Sequence, residues 1–236
     1  MKCGVVLLPG SNCDHDVYHV LKHTLGQETV FLWHENESVE ACDLVVVPGG
    51  FSYGDYLRSG ALAARSPVLA AVRRHADAGG LVLGICNGFQ ILCEAGLLPG
   101  ALLRNRSLRF EHRDVCLRVE RDDLAFTRRY RKGQVLSIPI AHMDGNYFGT
   151  EAALDELEAA GRVVFRYASP DGGLDDAWNW NGSARAIAGI VNAGGNVLGM
   201  MPHPERASDP LLGSTDGLAL FEAAVESLKE SLEVAR

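Results

Sequence analysis

The sequence has few basic residues for its length. Its 236 residues include 22 lysines and arginines against 30 aspartates and glutamates, for a formal net charge of -8. Nucleic acids and anionic membranes are bound through basic patches, so this balance argues against both and favours small molecules or proteins as partners. No apolar run approaches the ~20 residues that cross a bilayer, and no N-terminal segment has the order of a signal peptide. We therefore expect a cytoplasmic protein.

Paired cysteines and nucleotide-binding loops are missing as well. The six cysteines include no CxxC pair, which in a reducing compartment is typical of free thiols. The sequence contains no Walker-type GxxxxGK[ST] loop and no cluster of metal ligands along the chain. We therefore expect no metal and no other cofactor on this chain.

The order of apolar segments predicts the fold class. With 47% hydrophobic residues, the chain has enough material for a full core. Over residues 1–95, β-branched runs alternate with segments of helical spacing, and this alternation predicts a mostly parallel sheet with helices on both faces. The predicted strands here are Lys2–Leu8, Thr29–Trp33, Leu44–Val47 and Leu81–Leu83, and the predicted helices are 14–25, 60–77 and 89–95.

The pattern changes in the second half of the chain. Between Ala101 and Ser137 strands follow one another without a long helix, which predicts an antiparallel excursion. The polar stretch Ser137–Tyr147 is predicted to be a loop beside a pocket, and segments 186–191 and 196–201 to form a hairpin. The tail 214–234 has amphipathic helical spacing. We expect one α/β domain over residues 1–236, with a flavodoxin-like, open and mostly parallel sheet.

The stretch Gly84–Gln90, GICNGFQ, stands between a buried strand and a helix. A Gly-x-Cys-x-Gly pattern at this place is the cysteine counterpart of the nucleophile elbow, a sharp turn that projects the central side chain above the sheet. The start of the following helix favours a thiolate on Cys86. The alternative is a buried cysteine that only fills space, and this stretch alone does not decide between the two.

A second stretch, PHPE, supplies a base and a group to orient it. A cysteine nucleophile needs both. Prolines follow Met201 and His203 and push the backbone toward extended geometry, in which residues two apart project from the same side. The spacing therefore predicts that Glu205 orients His203 while the other ring nitrogen faces Cys86. An exposed turn with Glu205 in solvent is the alternative.

Backbone amides are the candidates for an oxyanion hole. One is the amide of Asn87, directly after the nucleophile, as in other elbows. The other lies in Pro48-Gly49-Gly50, which follows a neighbouring strand at the sheet edge where open α/β sheets place their sites. Within this tripeptide we favour Gly50.

Together, GICNGFQ, PGG and PHPE resemble the class I, or triad-type, glutamine amidotransferases. Within that class, the stretches LPGSNCD, PGGFSYGDYLR and AHMDGNY resemble the glutaminase subunits of phosphoribosylformylglycinamidine synthase, and the resemblance spans nearly the whole chain. The family loop usually reads closer to AHGEG, so Met143 and Asp144 depart from it.

The resemblance implies hydrolysis of glutamine through a thioester on Cys86, with ammonia passed to a separate synthetase subunit of purine biosynthesis. It also implies that this partner handles ATP and Mg²⁺ and that a small third subunit is present. By analogy, four residues hold glutamine or border the subunit interface. They are Gln90, Arg58, His142 and Asn146.

Other functions remain open on the sequence. The chain is alternatively the glutaminase subunit of a different synthase, although its PGGFSYGDYLR and LPGSNCD stretches argue against that. A cysteine hydrolase or chaperone-like protein of the same architecture would share the elbow but place its histidine elsewhere. A non-catalytic regulatory subunit would have no need of Cys86, His203 and Glu205 together.

Overall fold

The computed structural model describes residues 1–39 and 41–234. Strands and α-helices alternate in the first half of the chain and the last long element is a helix. In chain order they are β1 (Lys2–Leu7), α1 (Asp14–His19), β2 (Glu28–Trp33), β3 (Leu44–Val47), α2 (Pro67–Asp77), β4 (Leu81–Ile85), α3 (Asn87–Glu94), β5 (Ala101–Leu103), β6 (Glu111–Val119), β7 (Val135–His142), β8 (Asn146–Phe148), α4 (Glu151–Ala159), β9 (Val163–Ala168), β10 (Ile187–Val191), β11 (Val197–Met200) and α5 (Leu218–Val234). Helix α1 continues as a π-helical segment, Val20–Thr24.

Within the described residues, one nine-stranded sheet has the order β2-β1-β3-β4-β11-β10-β9-β6-β7. The strands from β2 to β11 in this order are parallel, and the strands from β11 to β7 are antiparallel. The parallel half has the flavodoxin-like order, with β11 as its fifth strand. Strands β5 and β8 pair separately. The α/β class and the antiparallel excursion are confirmed, while the assignment to one domain stays a prediction.

The centre of the sheet is covered on both faces. Every residue of β3 and β4 is buried, as expected of parallel strands with helices on either side. Helix α1 with its π-helical extension contacts β1 and α5. Helix α3 contacts β3, β4 and β11. Because parallel strands all end at the same edge, the segments after β1, β3, β4 and β11 meet there.

The stretch predicted as a loop, Ser137–Tyr147, is the largest error of the sequence-based prediction. Most of it is strand β7, whose even-numbered residues Leu136, Ile138 and Ile140 are buried. Pro139 is tolerated because β7 is an edge strand, where a missing amide breaks no ladder bond. The period of two in the apolar residues was the signal for a strand.

Two predicted helices are shorter than expected. Of the segment 60–77, only Pro67–Asp77 is α-helical, and Ala63–Arg65 forms a single 3₁₀ turn. The tail helix begins at Leu218 instead of 214, because Gly217 packs tightly against the Pro204 backbone. None of the helices in the described ranges is both long and apolar enough to cross a membrane.

Candidate active site

Cys86 lies in a strained turn between β4 and α3. Its backbone has φ 51° and ψ -106°, a conformation that L residues rarely adopt and that persists where the surroundings enforce it. A Cβ at position 88 would overlap the Val47 carbonyl oxygen, and one at position 84 would lie 2.5 Å from Leu92 Cδ1. Both glycines of the elbow are therefore required by close packing, and the predicted turn is present.

His203 and Glu205 form a buried pair behind the thiol. His203 Nδ1 and Glu205 Oε1 are 2.6 Å apart, and the two residues are 1% and 2% exposed. The backbone amide of His203 donates to the Pro139 carbonyl at 2.8 Å, which fixes the segment after β11 on edge strand β7. The segment Pro204–Ala207 is a 3₁₀ turn and not extended chain as predicted, yet it brings the imidazole and the carboxylate together.

The pKa of His203 is set by opposing influences. Burial favours the neutral ring and lowers the pKa, but the Glu205 carboxylate, followed by the sulfurs of Cys86 and Cys13, outweighs burial and holds the pKa well above its ordinary value. The Nε2 atom is buried and has no hydrogen-bond partner within the described part of the chain. The Glu205 carboxylate therefore favours the protonated form of the ring, with Nε2 available.

The thiol opens into a small cavity of about 120 Å³. At ~30 Å³ per water molecule, this space corresponds to about four waters and suits one small side chain better than a macromolecular segment. Its walls come from the segments that follow β1, β3, β4 and β11, together with two residues from outside that edge. The lining residues are Asn12, Cys13, Gly50, Phe51, Cys86, Phe110, Ala141, His203 and Arg206.

Two backbone amides remain the candidates for an oxyanion hole. Asn87 is the first residue of α3, so its amide has no acceptor within the helix. Gly50 opposes Ser11 in an isolated bridge that is closed by the neighbouring amides of Asn12 and Phe51. The φ of Gly50 is 144°, and a Cβ there would lie 2.7 Å from Asn12 N. Only glycine fits this close approach of backbone.

Of the four residues expected to hold glutamine, none lines the small cavity. The amide of Gln90 is buried and engaged at both ends, since it accepts from Asn87 Nδ2 at 2.8 Å and donates to the Asp144 carbonyl at 2.7 Å. Arg58 is exposed and pairs with Glu94 at 2.5 Å. Gln90 therefore links helix α3 to the segment after β7, and Arg58 links the segment before α2 to helix α3.

His142 and Asn146 also face structural partners. His142 Nδ1 lies 3.1 Å from Asn105 Oδ1, and burial together with the charge of His203 lowers the His142 pKa to about 3. Asn146 donates to the Arg104 carbonyl at 3.4 Å. Asn105, fully buried, also accepts from the Gly145 amide and donates to the His142 carbonyl, so it fixes the end of β7 beside Ala141.

Sequence reasoning missed two residues that touch the site, Cys13 and Arg206. The thiol of Cys13 is buried and accepts from Arg206 Nη2 at 3.1 Å, and burial raises the Cys13 pKa. A Cβ on Gly49 would lie 2.8 Å from His203 Cε1 and 3.1 Å from Cys13 Sγ. A glycine at position 49 therefore leaves the space that the imidazole ring of His203 occupies. Local spacing gave no signal for contacts between positions 13 and 203.

The sequence showed no metal-ligand cluster, but among the described residues folding brings a set of potential ligands together. A sulfur of Cys13, a ring nitrogen of His203 and a carboxylate oxygen of Glu205 all lie within 4.8 Å of one another. A larger cavity, of about 600 Å³, lies beyond Glu205 and Arg206 but is lined by neither Cys86 nor His203. Cys86 and His203 both line the smaller cavity, which is therefore the candidate site.

Comparison with known proteins gives a consistent picture. Residues 1–225 match the family model of the CobB/CobQ-like glutamine amidotransferase domain. The chain is 59% identical to phosphoribosylformylglycinamidine synthase subunit PurQ of Gloeobacter violaceus, over 96% of this chain and 98% of the relative. It is 58% identical to the protein of the same name from Koribacter versatilis, over 97% and 99% of the two chains.

A solved structure is similar over the same extent. A chain in the structure of PurLQS from Thermotoga maritima matches with a TM-score of 0.85 and 43% identity, covering 96% of this chain and 98% of that one. The similarity therefore extends over the whole fold and includes both halves of the sheet.

Proposed function

The chain belongs to the family of the PurQ subunits of phosphoribosylformylglycinamidine synthase, and from that membership we propose how it works as the glutaminase of the synthase in purine biosynthesis. Cys86 attacks the side-chain amide of glutamine, His203 moves the protons and Glu205 holds His203. The observation that carries this proposal is the buried His203–Glu205 contact of 2.6 Å beside a thiol in a strained elbow.

The first half of the reaction makes a thioester. The Cys86 sulfur forms a bond to the amide carbon, and the carbonyl electrons move to oxygen. The amides of Asn87 and Gly50 stabilise this oxyanion. When the tetrahedral intermediate collapses, the C–N bond breaks and the imidazolium of His203 donates its Nε2 proton to the departing nitrogen, which leaves as ammonia.

The second half releases glutamate. A water molecule attacks the thioester carbon while neutral His203 accepts a proton from it, and the C–S bond breaks to return the Cys86 thiolate. The Glu205 carboxylate accepts a hydrogen bond from Nδ1–H of His203 throughout, which holds that proton on Nδ1. The Nε2 atom is therefore the one that alternates between proton donor and proton acceptor. The small cavity admits the carboxamide end of glutamine, and Arg206 is the cation in its lining.

The ammonia is of use only to a second active site. The relatives are subunits of a synthase, and the similar solved structure is that of PurLQS, a name that indicates an assembly. We therefore assign this chain a synthetase subunit as partner, and extend the proposal to a small third subunit, to ATP and Mg²⁺ bound by the synthetase, and to a cytoplasmic location.

A glutaminase assay with two cysteine variants tests the function. Cys86→Ala should lower glutamine hydrolysis by at least ~10³-fold, since removing the nucleophile of a triad removes most of its rate. The control is Cys116→Ala, which removes a thiol in β6 that is half-buried and outside the small cavity. Substantial activity in Cys86→Ala would overturn the assignment, and equal loss in both variants would point to a general effect of cysteine removal.

A further inference from the structure

A second thiol, that of Cys13, lies within the catalytic cluster and has no part in the reaction above. Its sulfur, a ring nitrogen of His203 and a carboxylate oxygen of Glu205 lie within 4.8 Å of one another. The three residues are 2%, 1% and 2% exposed. They come from the segments after β1 and after β11, so the fold and not local sequence brings them together.

Two atoms of this cluster lack partners. His203 Nε2 and Glu205 Oε2 are buried, and neither has a hydrogen-bond partner within the described ranges. Buried polar atoms of native proteins are nearly always satisfied, so an exception calls for a ligand or a role. The reaction explains the free Nε2, which faces the thiol and the substrate. It does not explain the free carboxylate oxygen of Glu205.

Thiolate, imidazole and carboxylate are together the ligands that zinc prefers. We propose that Cys13, His203 and Glu205 bind Zn²⁺, and that bound zinc inhibits glutamine hydrolysis. A ring nitrogen and the carboxylate that bind the metal are withdrawn from the reaction, so metal and catalysis exclude each other. Ligand atoms of a tetrahedral zinc site are ~3.5 Å apart, and side-chain shifts of about 1 Å therefore close the cluster around the ion.

Arg206 affects this site in two ways. Its Nη2 atom donates to the Cys13 sulfur at 3.1 Å and favours the thiolate that a metal needs, which offsets part of the burial that raises the Cys13 pKa. Its positive charge also repels a cation, but the guanidinium is paired with Asp16 at 3.1 Å, which offsets part of that charge. The ion enters through the small cavity, which Cys13, Cys86 and His203 line together.

Cobalt binding tests the site without any need for activity. Co²⁺ replaces zinc and gives a thiolate-to-metal charge-transfer absorption in the near ultraviolet. We expect this band in the wild-type chain, in Cys86→Ala and in Cys116→Ala, and its loss in Cys13→Ser, a substitution that keeps the size of the side chain. A band that survives in Cys13→Ser, or that is absent from the wild type, overturns the site. Circular dichroism confirms that each variant is folded.

Inhibition is tested separately, because it rests on the proposed function whereas metal binding does not. Zinc is titrated into the glutaminase assay with the synthetase present, and each variant is normalised to its own rate without zinc. The concentration for half-inhibition should rise at least ~10-fold in Cys13→Ser, as losses around metal sites commonly do, and stay unchanged in Cys116→Ala. An unchanged value in Cys13→Ser would overturn the inhibitory role, even if cobalt binds.

Discussion

Two buried histidines near the thiol have pKa values shifted in opposite directions, and the difference comes from single neighbours. Burial disfavours the charged form of both rings. The Glu205 carboxylate, 2.6 Å from the His203 ring, raises the pKa of His203, whereas burial and the charge of His203 lower the pKa of His142 to about 3. His142 is therefore neutral when His203 is charged, and the two rings do not compete for protons.

Replacing Glu205 should move the pH profile. In Glu205→Gln the carboxylate that raises the His203 pKa is gone, so the ring loses its proton at a lower pH and cannot donate to ammonia. We expect a fall of at least ~10-fold in turnover, by the logic of triads, and a shift of the alkaline limb of kcat/KM to lower pH.

The control for this variant is Glu111→Gln. Glu111 is a buried carboxylate in β6 that pairs with Arg113 at 2.8 Å and lies outside the small cavity. Its pH profile should match that of the wild type. An alkaline limb in Glu205→Gln at the wild-type position would show that the carboxylate does not set the His203 pKa.

At the scale of elements, the turn between β4 and α3 depends on how closely α3 approaches β3. In Gly88→Ala the new methyl group would overlap the Val47 carbonyl oxygen, which belongs to the backbone and cannot rotate away. Overpacking of this kind costs ~3 kcal/mol, or roughly 6–12 °C in Tm for a chain of this size. Thermal unfolding followed by circular dichroism measures the shift.

Gly26→Ala separates this steric effect from backbone strain. Gly26 has φ 65° but open space around it, so alanine there meets only the left-handed backbone penalty of about 1–2 kcal/mol. Its Tm should fall less than that of Gly88→Ala. Equal losses in the two variants would contradict the close approach of α3 and β3.

Local patterns predicted the parts of the fold and site that depend on neighbours in sequence. The bounds of β3 agree with the prediction, and the hairpin of β10 and β11 is present, because unbroken apolar runs and a glycine turn determine them locally. The elbow at Cys86 and the contact of His203 with Glu205 are likewise determined by residues close together in sequence. The part of β7 after Ile138 was missed because its proline and polar residues outweighed its period of two.

The parts that sequence could not supply depend on contacts between distant segments. Cys13 and Arg206 are separated by 193 positions, yet they share a hydrogen bond. Gln90 and His142 were expected to hold glutamine or to border the subunit interface, and their side chains are directed to Asp144 and Asn105. A pattern can indicate that a polar residue is buried near a site without indicating which neighbour it faces.

At the scale of the whole molecule, the mouth of the small cavity has an exposed apolar rim. Phe51 and Phe110 line the cavity, stack at 6.5 Å and are each 45% exposed. Nearby in the same two loops, Tyr56, Leu57 and Leu108 are 75%, 86% and 72% exposed. Exposed apolar groups of this extent are typical of interaction surfaces. We expect this rim to be covered by the synthetase subunit, so that ammonia is transferred out of contact with bulk water.

Charge on the rim should weaken the complex. Leu57→Asp and Leu108→Asp place a carboxylate in an apolar contact, and the loss of a central contact of ~2 kcal/mol corresponds to about 30-fold in Kd. The control is Leu211→Asp, since Leu211 is 94% exposed but lies outside both loops. Biolayer interferometry with the synthetase subunit gives the three affinities. Equal affinities for rim and control variants would place the interface elsewhere.

The central claim is that Cys86 forms a covalent glutamyl thioester, and mass spectrometry of the acid-quenched enzyme during turnover tests it most directly. With the synthetase and its substrates present, we expect the added mass of one glutamyl group on the peptide that contains Cys86. Cys93 lies on the same tryptic peptide, since no lysine or arginine stands between it and Cys86, so fragment ions must assign the adduct to Cys86. The peptides that contain Cys13 and the other three cysteines should be unmodified. Turnover without any adduct on Cys86, or an adduct on a different cysteine, would contradict the account.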